Sequence, residues 1–282
     1  MKDFQLPSET VRHYEAGAEN GRLESGGGLL ELIRTKEIIT RYLGKRRADI
    51  LDVGGGPGVY SKWLAQLGHN VHLIDAVPSH VQEARKNARS RTGELFSAEL
   101  GDARRLGFPH NSFDTVLMFG PLYHLTKAQD RIQAMREARR VLRPQGLLFA
   151  AAISKYASLI DGLKYGFLDD PAFERIVDRD LKEGQHRNPT GGKDYFTTAF
   201  FHHPRELAQE VKKSGYNLKG IYAVEGPAEI LSRQNLNKRL GDENARRRIL
   251  RFLETVEQEP SLLGMSSHLL AVGTSNKPTD TP

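Results

Sequence analysis

The chain of 282 residues contains no cysteine. It therefore has no disulfide framework, no thiolate metal site and no cysteine nucleophile. No apolar run approaches the roughly 20 residues of a membrane-spanning helix. The N-terminal Met1 to Thr10 mixes Lys2, Asp3 and Glu9 without the apolar stretch of a secretory signal. The expectation is a cytoplasmic protein with no membrane segment. There is no internal repeat and no low-complexity tract, and Ser275 to Pro282 reads as a polar, flexible tail. A strong charge of one sign is also missing. The 41 Lys plus Arg against 35 Asp plus Glu leave +6, with the two signs interleaved, which permits a nucleic-acid partner without implying one.

What is present is enough for a core: 38% hydrophobic residues, with 12 Phe and 9 Tyr, exclude global disorder. The length sits near the upper size of one hydrophobic core, so one large domain with an insertion, or two unequal lobes, is expected. Leu29, Leu30, Ile33, Ile38, Ile39, Tyr42 and Leu43 recur at helical spacing and stop at Gly44. Short apolar runs at Ile50–Val53, Val71–Asp75, Leu95–Leu100, Thr115–Met118 and Leu147–Ile153 alternate with helical patterns at 59–67, from Ser79 to about Arg91, and at 128–142. Ser79 and Gln82 have the spacing of a capping box. This rhythm predicts a doubly wound, mostly parallel α/β sheet whose ligand site lies at the carboxyl ends of the strands.

After Ile153 the rhythm breaks. Residues 154–200 hold Gly, Asp, Pro and aromatics without a long periodic element, and read as an inserted lid or substrate lobe. A helix from Pro204 to Gly215, a strand at Leu218–Val224, a charged helical stretch to about Glu259 and a strand at His268–Val272 complete seven strands with an antiparallel edge. The expected organisation is an N-terminal helical cover over 1–48, a ligand-binding core over 49–153, the insertion over 154–200, the rest of the sheet over 201–274 and a tail over 275–282.

Asp52-Val53-Gly54-Gly55-Gly56-Pro57-Gly58 falls between a strand and a helix, where a glycine loop that binds a cofactor must lie. Its spacing excludes two cofactor classes. The sixth position of a dinucleotide fingerprint counted from Gly54 is Val59, and no Gly-Lys-Ser or Gly-Lys-Thr follows for a P-loop. Glycines at 54, 56 and 58 suit close backbone approach to a ligand. Asp75 ends the second strand, 21 residues beyond Gly54, where a carboxylate accepts from ribose hydroxyls. Asp102 follows the third strand, where it can accept from the exocyclic amine of adenine. Three carboxylates, Asp52, Asp75 and Asp102, would repel a pyrophosphate and suit a sulfonium with its α-ammonium.

These segments, together with Ser112 to Met118 and Arg140 to Gly146, resemble the successive motifs of class I S-adenosylmethionine-dependent methyltransferases. The likeness covers about Ile50 to Ile153 and is greatest to the small-molecule branch that includes the ubiquinone and menaquinone C-methyltransferases. The resemblance implies a seven-stranded Rossmann-like fold and S-adenosylmethionine as cofactor. It also implies that Gly54, Gly55 and Gly56 pack on the methionine part, Asp75 with Ala76 meets the ribose, and Asp102 with Ala103 faces adenine. Phe119-Gly120-Pro121-Leu122-Tyr123-His124 lacks the Asn-Pro-Pro-Tyr of base-amine methyltransferases, which argues against that chemistry.

Several residues keep two readings. Tyr60 lines the methionine end or only packs. Tyr14 and Arg22 fold over the cofactor, Arg22 meeting its carboxylate, or they belong to a helix surface; Gly26-Gly27-Gly28 would let that segment hinge. Tyr123 and His124 lie where a methyl acceptor should approach, and His124 either orients or deprotonates it or is a structural histidine. His202 and His203 are catalytic, or one of them caps the helix at Pro204. Tyr195, Phe196, Phe200 and Phe201 wall an acceptor pocket or pack in the core, and Glu225-Gly226-Pro227 is a rim or a turn.

No metal is expected, because no compact carboxylate cluster stands out beyond the cofactor acids. Arg136, Arg139, Arg140 and Arg143, and Arg246, Arg247, Arg248 and Arg251, have acidic neighbours and no interleaved aromatics, as on a solvated helix face rather than a nucleic-acid platform. The function expected is methyl transfer by in-line displacement to an N, O or C nucleophile of a small molecule, leaving S-adenosylhomocysteine, with positioning alone supplying roughly 7–11 kcal/mol. The alternatives are an RNA or protein methyltransferase and a non-catalytic S-adenosylmethionine-binding protein.

Overall fold

The computed structural model describes residues 8–15, 17, 21–90, 93–191 and 195–277. Continuous apolar runs become central strands because both faces of each are covered. The seven strands of the main sheet are β1 Asp49–Val53, β2 Asn70–Asp75, β3 Ser97–Leu100, β4 Phe113–Met118, β5 Leu142–Ile153, β6 Tyr216–Ala223 and β7 His268–Ser275. They lie in the order β3-β2-β1-β4-β5-β7-β6. β1 to β5 run parallel, and β7 is antiparallel to both β5 and β6. The order reverses at β1, which places the switch point beside the glycine loop.

Side chains alternate across the sheet. Leu51, Val53, Val116, Met118, Leu148 and Ala150 meet Ala134, Met135, Ala138, Leu207 and Val211 on one side. Ile50, Leu73, Leu117 and Phe149 meet Ile38, Ile39, Leu64 and Val81 on the other. Each fully buried Leu or Ile contributes on the order of 1.5–3 kcal/mol. The helices that supply these faces are α2 Gly26–Tyr42, α3 Val59–Gln66, α4 Pro78–Ala88, α5 Ala128–Val141 and, further along, α8 Pro204–Lys213; the short α1 Ser8–Glu15 precedes them.

Four expectations need correction. The insertion is not aperiodic: it carries α6 Ala157–Tyr165 and α7 Pro171–Glu183. Asp170 caps α7 by accepting from the amide of Ala172, Pro171 opens it, Gly184 ends it at φ +67°, and Phe173, Ile176 and Val177 form its buried stripe. The capping box at Ser79 is not used, because Pro78 starts α4 one residue earlier with Val77 at the N-cap. The three glycines do not form a hinge but make the first turn of α2. A Cβ at Gly28 would lie 2.0 Å from the carbonyl oxygen of Arg22, so they permit the 3-10 turn Arg22–Glu24 to pack on the helix. Ser275 is no tail but the buried end of β7, and the Lys277 ammonium donates to the carbonyls of Arg140 and Leu142. The rest of the expected tail, 278–282, and residues 1–7 lie outside the described residues.

The charged stretch before β7 is two helices, α9 Arg233–Gly241 and α10 Glu243–Val256. Leu236, Leu240 and Leu253 pack them against Leu30 of α2. No helix among the described residues is long and apolar enough to cross a membrane.

Candidate active site

The turn after β1 is built for close approach. Gly54 has φ +75°, and a Cβ there would lie 2.6 Å from Pro121 Cδ, so the loop abuts the turn after β4. Gly56, at φ +56°, has nothing within 4 Å of a notional Cβ, which leaves an open cradle beside its amide. That amide donates to Asp75 Oδ2 at 2.9 Å, and the Val77 amide donates to Oδ1 at 2.8 Å. His80 Nδ1 stands 3.4 Å from Oδ1. A carboxylate offers about four lone-pair positions, so Asp75 keeps acceptor capacity for hydroxyl donors while bracing the loop.

Asp52 is placed differently from the sequence expectation. Strand alternation turns it away from the cavity and buries it behind the loop, where Ser61 Oγ donates to its Oδ2 at 2.7 Å. Burial raises its pKa to about 7, opposed by the Ser61 hydroxyl and reinforced by the nearby charge of Asp75. Its role is to support the loop. Asp102 is half-buried at the cavity wall, and Arg104 holds it through Nη2 at 2.8 Å and through its own amide at 2.9 Å.

A cavity of about 670 Å³ runs from this loop across the carboxyl ends of the strands to β5 and β7. Gly54, Gly55, Gly56, Tyr60, Asp75, Ala76, Asp102, Ala103, Phe119 and Gly120 line one part of it, and Tyr14, Arg22, Tyr123 and His124 line it further along. The expected cofactor residues, Asp52 excepted, thus share one cavity. The donor and acceptor set fits S-adenosylmethionine: an open glycine cradle and an end-of-strand carboxylate with spare lone pairs.

Tyr14 from α1 joins the two halves of this surface. Its hydroxyl lies 2.5 Å from His124 Nε2, and its ring meets His80 edge-on at 5.0 Å and His124 at 5.3 Å. Burial holds the His124 pKa down at about 4, against the pull of Asp75. At neutral pH this imidazole is uncharged. Tyr60 is buried and packs edge-on against Phe119 at 4.9 Å, and burial pushes its phenol well above the usual value.

Beyond Tyr123 the cavity is walled by aromatics. Phe167, Phe173, Tyr195, Phe196 and Phe201 line it, whereas Phe200 turns away beneath the Arg131 guanidinium, 3.6 Å from its ring centre. Of the four rings in the expected cluster, Tyr195, Phe196 and Phe201 thus line the cavity and Phe200 does not. His186, which the sequence reading did not single out, also lines this wall. Its Nδ1 is 2.7 Å from Asp180 Oδ2, which accepts from Ser158 Oγ at 2.6 Å. His186 Nε2 is buried and has no partner among the described residues. The signal in the sequence is faint: Gly184 ends α7 and turns the chain back so that His186 meets Asp180.

Glu31, Glu225 and His268 bring ligand-type atoms within 4.8 Å of one another. No such group is expected from the sequence, because its members come from three separate segments of the chain. These atoms are engaged in ion pairs: His268 Nδ1 with Glu225 Oε1 at 2.7 Å, and Glu31 with Arg22 at 2.5 and 3.2 Å. Burial opposes the charge on His268, but Glu31 and Glu225 outweigh it and raise the pKa to about 10. With that pKa the His268 ring is protonated at neutral pH and faces both carboxylates. Glu225 thus sits behind the wall rather than in a simple turn.

His202 and His203 do not reach the cavity. His202 is fully buried, its Nε2 3.2 Å from Glu210 Oε2. Arg131 donates to the same carboxylate at 2.6 and 2.9 Å, tying α5 to α8. Burial disfavours the charge on Glu210, but His202 and Arg131 outweigh it and hold the carboxyl at about 2. His203 caps α8 by accepting from the Arg205 amide at 3.2 Å.

Residues 51–150 match the sequence signature of a methyltransferase domain. The chain is 30% identical over 198 residues to the ubiquinone/menaquinone biosynthesis C-methyltransferase UbiE of Ruegeria sp., covering 63% of this chain and 77% of that protein. It is 30% identical over 164 residues to UbiE of Neisseria meningitidis, covering 56% of this chain and 65% of that protein. The chain thus spans just under two thirds of the length of the Neisseria relative. An S-adenosylmethionine-dependent methyltransferase of Methanosarcina mazei shares the fold, with a TM-score of 0.57 at 20% identity over 84% of this chain and 96% of that one.

Proposed function

Because the chain belongs to the class I S-adenosylmethionine-dependent methyltransferases, we propose that it transfers a methyl group from that cofactor to a small molecule held in the same cavity. The observation that carries this reading is the continuity of the cavity from the glycine loop to the aromatic wall of the insertion. Its volume of about 670 Å³ falls within the 300–1,000 Å³ range of small-molecule sites. When bound, S-adenosylmethionine supplies a methyl group already activated on a sulfonium.

The chain's own residues then bind, orient and exclude water. Asp75 accepts the ribose hydroxyls, Asp102, braced by Arg104, faces the adenine amine, and Gly54 to Gly56 give backbone contact to the methionine part. Arg22 meets the cofactor carboxylate while Glu31 fixes its guanidinium. Tyr14 and the insertion shield the reacting atoms, because such alignment in a dry site is the main source of rate. A proton on the acceptor passes to His124 or to His186, both of which line the same cavity.

A small acceptor is favoured over RNA because Arg140 and Arg143 are paired locally. Arg140 is bonded to Glu137 and to the carbonyls of Leu106 and Phe108. Arg143 pairs with Asp49 and Asp114 at 2.9 and 2.8 Å. The test is a screen of small-molecule acceptors, RNA and peptides with methyl-labelled S-adenosylmethionine, read by product mass. Labelled small-molecule product is the expected result; label only in RNA or peptide would overturn the reading.

A further inference from the structure

Where α6, the end of β6 and the start of β7 meet, seven charged groups lie on or just behind the cavity wall. Three are cations, and each has a carboxylate of its own. The Lys164 ammonium donates to Glu229 Oε2 at 3.1 Å, His268 pairs with Glu225 at 2.7 Å, and Arg22 pairs with Glu31 at 2.5 Å. Asp161 is the fourth carboxylate. No hydrogen bond or ion pair reaches it among the described residues, yet it lines the cavity. Burial in the first place moves its pKa to about 6; Glu229 and Glu225 raise it further, while Lys164 and His268, each already bonded to a carboxylate of its own, lower it. One negative charge in this wall is therefore uncompensated.

The surroundings select what would compensate it. Asp161 follows Ala157 and Ser158 by four and three residues on α6, so the three share one helix face, and all three line the cavity. Phe173 packs against the same helix: its ring lies 3.1 Å from a notional Cβ at Gly162. Phe173, Phe167 and Tyr195 form a cluster with ring centres 4.6 to 5.4 Å apart, and all three line the cavity too. A carboxylate with no bonded counter-charge, in a cavity that these aromatic rings also line, is an environment that attracts an ammonium group through charge and ring quadrupole together.

We propose that Asp161 anchors a protonated amine of the methyl acceptor, so that the enzyme takes aryl- or alkyl-amine acceptors rather than neutral or anionic ones. This rests on the reading of the cavity as a methyl-acceptor site. The ammonium pairs with Asp161 against Phe167, Phe173 and Tyr195, and the remainder of the acceptor extends toward Tyr123 and His124. A neutral isostere gains the same apolar contact but leaves the carboxylate uncompensated. A carboxylic-acid isostere adds like charge and is rejected.

The test is calorimetric and needs no turnover. With the full chain saturated by S-adenosylhomocysteine at pH 7.5, phenethylamine and tryptamine are titrated beside 2-phenylethanol and hydrocinnamate. At least one amine is expected to bind ten times or more tighter than the alcohol, with no binding of the acid. Asp161→Asn should abolish that preference, Asp161→Glu should retain part of it, and neither should alter the affinity for S-adenosylhomocysteine more than twofold. Circular dichroism confirms that both variants fold. Equal binding of amine and alcohol, no binding of any amine at millimolar concentration, or an unchanged preference in Asp161→Asn overturns the proposal. Failure of S-adenosylhomocysteine itself to bind counts instead against the cofactor reading, and the amine titration is then read without it.

Discussion

The hydroxyl of Tyr14 meets Nε2 of His124 at 2.5 Å, linking α1 to the turn after β4 across 110 residues of sequence. Both side chains are part of the cavity wall, so this bond fastens α1 against that wall.

Tyr14→Phe removes that fastening and leaves a buried imidazole nitrogen without its donor, at a cost of about 1–3 kcal/mol. S-adenosylhomocysteine should then dissociate at least about fivefold faster, the rate change that roughly 1 kcal/mol produces, as followed by stopped-flow displacement. An unchanged rate would mean that α1 does not retain the cofactor.

His186→Ala should leave S-adenosylmethionine affinity within twofold and lower turnover of a proton-bearing acceptor by on the order of 100- to 10,000-fold. Asp180→Asn, which loses the orientation of the ring, should fall between. Full activity in both variants would leave the proton transfer to His124.

Glu210→Gln should destabilise the fold by about 3–5 kcal/mol, because it leaves the buried Arg131 without its counter-charge. Cofactor affinity should not change. A folded variant with normal thermal stability and lost turnover would restore His202 to the catalytic set.

Two of the cavity histidines give opposite pH dependences. His268 has a folded pKa of about 10, above its unfolded value near 6.5; its stabilising contribution is complete below pH 6.5 and is lost as pH rises through about 10. His124, held at about 4, costs nothing above pH 6.5 and destabilises the fold as pH falls from there toward 4. The melting temperature of His268→Gln should therefore lie several degrees below wild type at pH 6 and converge with it by pH 10. A gap that does not narrow would refute the ion-paired histidine.

The core from β1 to β4 was legible because β1, β2 and β4 are short, mostly apolar runs and the loop Asp52–Gly58 stands between β1 and α3, whereas β3, Ser97–Leu100, buries only Ala98 and gave a faint signal. The side on which Asp52 falls was also encoded, in the alternation that sends Leu51 and Val53 to one face and Asp52 to the other, but residue type suggested a ligand contact and hid the alternation. The stripe Phe173, Ile176, Val177 ends in the polar Asp180, so α7 did not register as amphipathic. The pairings that give the wall its chemistry, His186 with Asp180 and His268 with Glu31 and Glu225, form between separate elements or across a left-handed turn. No local pattern announces them.

The binding of the cofactor at Asp75 is tested most directly by calorimetric titration of S-adenosylmethionine into wild type and Asp75→Asn, with a thermal melt to confirm that both fold. The wild type should bind, and the variant should bind about 10- to 100-fold more weakly, the loss of a charged hydrogen-bond partner worth roughly 1–3 kcal/mol. Equal affinity in the two proteins, or no affinity in either, would contradict the account.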